Sequence, residues 1–277
     1  MFTFKDFFPQ FAGWIQNLEQ VWLGPIFKPY FAHLEVWHIV SLFILGGCMI
    51  LMNLRLLGVG LTTESPSSIE KNVRGWLAFG VFGVLASGVL IGFANAEKLY
   101  GSPAFTVKMI SLLAAIIFTY AACVPTAKAD GRVGTGAKVA VLIALLLWVV
   151  SLWLFATIVG LAPGIILVII AAAMMVYIAL QGRIRWVYVA GLAVIVAAHQ
   201  VATHFVYDLN SGYDAFVTAN KWFVRAEAVW VVAFAAYQVL AVRNPLAGGP
   251  LTRLVGFSSL LVWVTVAAAG RWIAFAS

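Results

Sequence analysis

The chain is a succession of apolar runs about 20 residues long, separated by short breaks rich in Gly, Pro, Ser and Asn. A helix of that length, rising ~1.5 Å per residue, crosses the ~30 Å hydrocarbon core of a bilayer. Lipid offers no partner to a backbone amide, so such runs must satisfy their own hydrogen bonds as helices. They do not alternate polar with apolar residues, which argues against a lipid-facing barrel. Composition agrees: 64% of residues are hydrophobic and only 10% charged, with a mean hydropathy of +1.02, which excludes an ordinary soluble domain. The predicted fold class is all-α, a polytopic integral membrane helical bundle.

The pattern predicts about eight transmembrane helices, over Tyr30–Leu57, Asn72–Ala96, Pro103–Val124, Lys138–Gly160, Ala162–Gln181, Ile184–Val206, Asn220–Val242 and Leu251–Phe275. Breaks fall around Pro66, at Gly101-Ser102-Pro103, near Gly160 and Pro163, and from Asn244-Pro245 to Pro250. The longest connections, Thr126–Ala137 and Tyr207–Ala219, are too short for a soluble catalytic domain. Ahead of the bundle (29–277), residues 1–28 form an interfacial amphipathic segment. Phe4, Phe8, Phe11, Ile15, Leu18 and Trp22 recur at spacings of three and four, with a break expected near Pro9. This stretch lacks the basic start, uninterrupted apolar run and small-residue cleavage site of a signal peptide. It is expected to anchor the chain in the interface, with shielding of the bundle end or docking of a partner membrane subunit as the alternatives.

A net charge of +7 could suggest nucleic acid, but no basic cluster supports that partner. The cations read as topology signals. Arg55, Lys71, Arg74, Lys128, Arg132, Lys138, Arg183, Arg185, Arg243 and Arg253 fall on one side, more than on the other. The positive-inside rule then gives a multi-pass protein with both termini outside, which in a bacterial inner membrane would be the periplasmic side. Cys48 and Cys123 sit in separate apolar runs without a C-x-x-C-H motif, so neither a c-type haem attachment nor a disulfide framework is expected.

All four histidines lie in two copies of one pattern, A-H-x-x-x-x-H-[FI]-V, at Ala32–Val40 and Ala198–Val206. Imidazoles are costly in lipid, so such a set marks a candidate functional site. The predicted topology runs the two spans antiparallel and puts all four rings in the outer leaflet, with His33 level with His204 and His38 level with His199. A spacing of five turns the helix by ~500°, so the two rings of one span diverge by ~140°. That suits a compact metal site poorly and suits two separate partners better. Haem b, held by histidines of two helices, is the natural cofactor, with one or two bound. Arg225 and Arg271, at the outer ends of their spans, are the candidate propionate partners, ahead of Lys98, Lys108 and Lys221. Glu35, between His33 and His38, is positioned along the chain to orient an imidazole or carry a proton.

The segment His38–Gly47 followed by Asn53-Leu54-Arg55-Leu56-Leu57-Gly58 resembles a widespread, mostly uncharacterised family of bacterial multi-span proteins. In that family H-L-L-G-L-A-type runs end in D-L-R-L-L-G. Ala94–Lys98, Pro103-Ala104-Phe105 with Lys108, and Gly270-Arg271-Trp272-Ile273 resemble its further blocks. Asn53 stands where the family usually has Asp. The resemblance implies relatives of copper-resistance D proteins and of membrane b-type cytochromes.

The function expected is electron transfer between a periplasmic redox protein and quinone or another membrane component, through haem in the outer leaflet. An enzymatic role beyond that is not implied, because no nucleophile–base motif or phosphate loop is present. Copper binding or transport on the same four histidines is the alternative. Met49, Met52 and Cys48 would be a small set of soft ligands deeper in the first span. A non-catalytic accessory subunit is the third reading.

Overall fold

The computed structural model describes residues 2–158, 161–206, 212–241 and 246–275, and every element among the described residues is helical. The long helices are α1 (Phe31–Leu56), α2 (Pro66–Ala94), α3 (Pro103–Lys128), α4 (Thr135–Thr157), α5 (Ile165–Ala179), α6 (Arg183–Val206), α7 (Gly212–Leu240) and α8 (Pro250–Trp272). The breaks follow local chemistry. Ser65 accepts from the Ser68 N–H at 3.1 Å and Ser102 from the Phe105 N–H at 3.4 Å, each followed by proline at the first helical position.

Among the described residues seven of these helices are long and apolar enough to cross a membrane, in keeping with a polytopic bundle of about eight spans. The exception is α5. Its 15 residues rise only ~22 Å, short of a ~30 Å core. A 3-10 turn at Ala162–Gly164 shortens it at one end, and Gly182, at φ +65°, follows the other. Helix α7 begins eight residues before the expected Asn220, within the stretch read as a connection. Gly160, part of the expected connection from Tyr207, and Asn244-Pro245 lie outside the described residues.

The chain forms two compact units, Met1–Ile165 with Pro245–Ser277, and Ile166–Asn244. This division differs from the expected one at residue 28, because the N-terminal segment belongs to the first unit. There Tyr100 donates from its hydroxyl to the Phe8 carbonyl, and Gln20 donates to Glu97 at 2.6 Å. Glu19 accepts from the Glu97 N–H at 2.7 Å while pairing with Lys28 at 3.0 Å. The segment is broken at Pro9, as its sequence suggests, and leaves Phe7, Phe11, Trp14 and Trp22 exposed.

Glycine governs the contact of α1 with α2 in the first unit. A Cβ on Gly80 would stand 2.8 Å from the Leu45 backbone nitrogen, and one on Gly83 2.2 Å from Ser41 Oγ. Lipid is as apolar as the side chains it would be exchanged for, so close approach of backbones supplies the association. A polar seam crosses the same unit. Asn53 donates to the Met49 carbonyl at 2.8 Å and accepts from Ser259 at 2.6 Å and Cys123 at 3.4 Å. An amide suits this position because it both donates and accepts, whereas a carboxylate could not donate to Met49. Thr119 and Cys123 reach the seam from a π-helical stretch of α3, Phe118–Cys123, and Trp263 donates to Thr119 at 2.9 Å.

In the second unit α6 and α7 pack closely. Gly191 lies where a Cβ would come within 2.1 Å of the Trp230 ring, whose N–H donates to the Tyr188 carbonyl at 3.1 Å. Tyr188 is buried and its hydroxyl donates to the Ala173 carbonyl at 3.0 Å, tying α5 to the pair.

Candidate functional sites

His33 and His38 both project from α1, but only one is engaged. His33 is exposed and makes no hydrogen bond among the described residues. His38 is half-buried and faces α2, where its Nδ1 lies 2.9 Å from Ser87 Oγ. Ser87 Oγ lies 2.5 Å from the Gly83 carbonyl, to which it gives its single proton. The hydroxyl must therefore accept from His38, which assigns the proton to Nδ1 and leaves the Nε2 lone pair bare. Gly88 makes room for the ring, since a Cβ there would lie 3.4 Å from Cε1. The orienting partner expected from sequence, Glu35, is instead exposed and without a hydrogen bond among the described residues.

The second unit treats its first histidine differently. His199, buried, has Nδ1 3.0 Å from Glu227 Oε1 and Nε2 2.8 Å from Asn220 Oδ1. Asn220, Phe223 and Glu227 are spaced three and four apart on α7, so they share a face, and the Phe223 ring stacks on the imidazole at 5.0 Å and 7°. With the amide oxygen toward Nε2, both nitrogens are donors and the ring is an imidazolium paired with a carboxylate. With the amide turned, Nε2 accepts instead and the ring is neutral. Neither arrangement leaves a lone pair for a metal. Thr203 completes the local structure by donating to the His199 carbonyl at 2.8 Å. His204 is exposed, its ring edge-on to Phe205 at 5.7 Å.

The expected pairings His33–His204 and His38–His199 each draw one histidine from either unit. Arg225 and Arg271 are exposed, their guanidinium groups lying over the rings of Trp222 at 4.9 Å and Phe275 at 4.7 Å. Lys108 is half-buried. Cys48, Met49, Met52 and Cys123 are buried. Cys123 is engaged with Asn53, and Cys48 reaches the Val73 carbonyl at 3.9 Å. Among the described residues no three His, Cys, Asp or Glu side chains are grouped to hold a metal ion.

Ser87 and Asn220 were not singled out by sequence. The available signals were a serine among glycines on α2 (Gly80, Gly83, Ser87, Gly88) and an Asn–Glu pair seven residues apart on α7.

No curated protein and no solved structure matches this chain. A family model described as a family of unknown function, DUF6644, matches residues 13–161, which include both histidines of α1 and Ser87. That match covers more than half of the 277 residues, and the chain belongs to this family.

Proposed function

We propose that this chain is a b-type haem protein of a bacterial inner membrane, with His38 Nε2 as an axial ligand. It would pass electrons between a periplasmic redox protein and quinone or another membrane component. One observation carries the reading: His38 Nδ1 lies 2.9 Å from Ser87 Oγ, whose own proton goes to the Gly83 carbonyl, so the hydroxyl accepts from the Nδ1–H and Nε2 keeps its lone pair. Metal-ligating histidines are commonly held this way, by donation of the other ring N–H to an oxygen. A haem brings four ligands of its own and asks the protein for only one or two. That demand suits a site with a single presented imidazole and no grouped metal-binding side chains among the described residues. Copper on the same ring would need further protein ligands, and the buried sulfurs of Cys48 and Cys123 face oxygens of their own unit. When bound, the haem would supply a one-electron carrier inside the bilayer. Of the protein's own groups, Ser87 holds the ring orientation and Gly88 gives the ring space.

The test is the reduced-minus-oxidised visible spectrum and the pyridine haemochrome of detergent-purified protein. Sharp b-type bands are expected from the wild type and their loss from His38→Ala. A folded, colourless wild type carrying stoichiometric copper would favour the copper reading. Full haem in His38→Ala would move the ligand elsewhere, and His33→Ala, His199→Ala and His204→Ala then identify it.

A further inference from the structure

His199, Glu227 and Asn220 meet inside the second unit, and the haem reading makes no use of them. Both helices that supply them are long and apolar enough to cross a membrane. Ionisable groups are costly in such helices and mark proton or ion pathways where they occur. The His199 ring stands six residues, about 9 Å, before the end of the apolar stretch Arg183–Phe205. Asn220 is the first residue of the apolar stretch Asn220–Leu240, so its amide lies at the boundary of that stretch.

The partners accommodate two proton counts without a break in hydrogen bonding. In both, Nδ1 keeps its proton and donates to the Glu227 carboxylate at 3.0 Å. Nε2 lies 2.8 Å from the Asn220 amide, where a bare lone pair accepts from the amide N–H and a protonated nitrogen donates to the amide oxygen. Half a turn of the amide exchanges the two with little change of shape. A carboxylate in its place could only accept, and an ammonium could only donate. The Phe223 ring, parallel to the imidazole with centroids 5.0 Å apart, holds the ring in place for either state. Among the described residues no other acid or cation bonds to it. Lys221 and Arg225 on α7 and His204 on α6 are exposed, and α5, tied to the pair through Tyr188, carries no charged residue.

We infer that His199, Glu227 and Asn220 form a binding site for one proton, loaded from the water at the Asn220 end of the helix pair. Loading adds a proton to the Nε2 lone pair. The amide turns from donor to acceptor, and the site goes from one negative charge to none. Release reverses each step. Ring and carboxylate share a hydrogen bond, so the added proton belongs to the pair. The site needs no haem and stands or falls apart from the reading above.

The experiment follows the imidazole nitrogen chemical shifts of full-length protein, isotope-labelled at histidine and held in detergent, from about pH 5 to about pH 9. Signals missing from His199→Gln identify the ring. The wild type should pass between a neutral and a charged ring in a single one-proton step. Asn220→Leu leaves the second N–H of the charged ring without an acceptor and should lower the proton affinity about tenfold or more. Asn220→Asp, which accepts but cannot donate, should raise it by a similar factor, so a poorly folded leucine variant does not decide the result. A His199 ring fixed in one state across that range would overturn the inference, as would equal affinities in the wild type and both Asn220 variants.

Discussion

The two histidine helices carry the same A-H-x-x-x-x-H pattern and put it to opposite uses. On α1 the second histidine, His38, turns inward and meets a hydroxyl on one nitrogen. On α6 the first, His199, turns inward and meets a carboxylate on one nitrogen and an amide on the other. In each copy the remaining ring, His33 or His204, is exposed. The ~140° divergence between the two rings makes this outcome general, because one helix face cannot bury both. What the buried ring can do is then set by the neighbouring helix. Serine on α2 leaves His38 able to bind, whereas Glu227 and Asn220 on α7 leave His199 saturated.

This contrast is broken or kept by stability measurements on apoprotein in detergent. The Glu227 carboxylate is mostly buried, and its partner is the His199 ring. His199→Ala strands that carboxylate, and removing one member of a buried pair costs about 3 kcal/mol or more. His38→Ala loses one interhelical hydrogen bond, about 1 kcal/mol or less. Thermal unfolding should therefore show a clear loss for His199→Ala and a small one for His38→Ala. Glu227→Gln, which keeps a hydrogen-bonding group but no charge, should fall between them. Equal losses at His38 and His199 would mean that the two sites differ only in geometry and not in charge.

Much of the architecture was legible because lipid imposes it. Apolar runs became helices, and the breaks at Ser65-Pro66 and Ser102-Pro103 became capped helix starts. The fifth run forms a shorter helix than its sequence suggests, because a 3-10 turn precedes α5 and Gly182 follows it, and hydropathy does not register either. The division into two units was also hidden, since it depends on which helices pack and not on where the chain is apolar. The histidines stood out because imidazole is rare in lipid. Their partners did not, because Ser87 and Asn220 are ordinary residues until α2 and α7 are brought alongside. Glu35 was favoured for proximity in sequence, but its side chain is exposed and makes no hydrogen bond among the described residues.

A smaller effect sharpens the same comparison by loosening the contact that delivers Ser87 to His38. Gly80→Ala places a methyl group 2.8 Å from the Leu45 backbone nitrogen, an approach that no rotamer change relieves. The two helices must part, at a cost of about 2 kcal/mol. Gly46→Ala and Gly47→Ala are the controls, since nothing lies within 4 Å of a Cβ at either position. They should be neutral or slightly stabilising. On the proposed reading, Gly80→Ala also weakens haem retention while His199 and its partners are untouched. Unchanged stability in Gly80→Ala would show that α1 and α2 do not approach as closely as their glycines allow.

Ser87→Ala is the mildest change and the most specific to the proposed role. It removes no bulk from the α1–α2 contact beyond one oxygen, and it ends the acceptance of the Nδ1 proton. The ring is then free to rotate and to carry its proton on either nitrogen, so the fraction presenting a bare Nε2 falls. Loss of such a partner weakens metal binding by about tenfold or more, equivalent to about 1.4 kcal/mol. Faster haem loss to apomyoglobin from Ser87→Ala than from the wild type is therefore expected. Ser87→Thr, which keeps the hydroxyl, should retain most of the affinity. Asn220→Leu is the matching change in the second unit, and it frees a nitrogen of His199 instead of releasing one of His38. It should leave the rate of haem loss unchanged. If Asn220→Leu and Ser87→Ala altered that rate equally, the assignment of the ligand to His38 alone would fall.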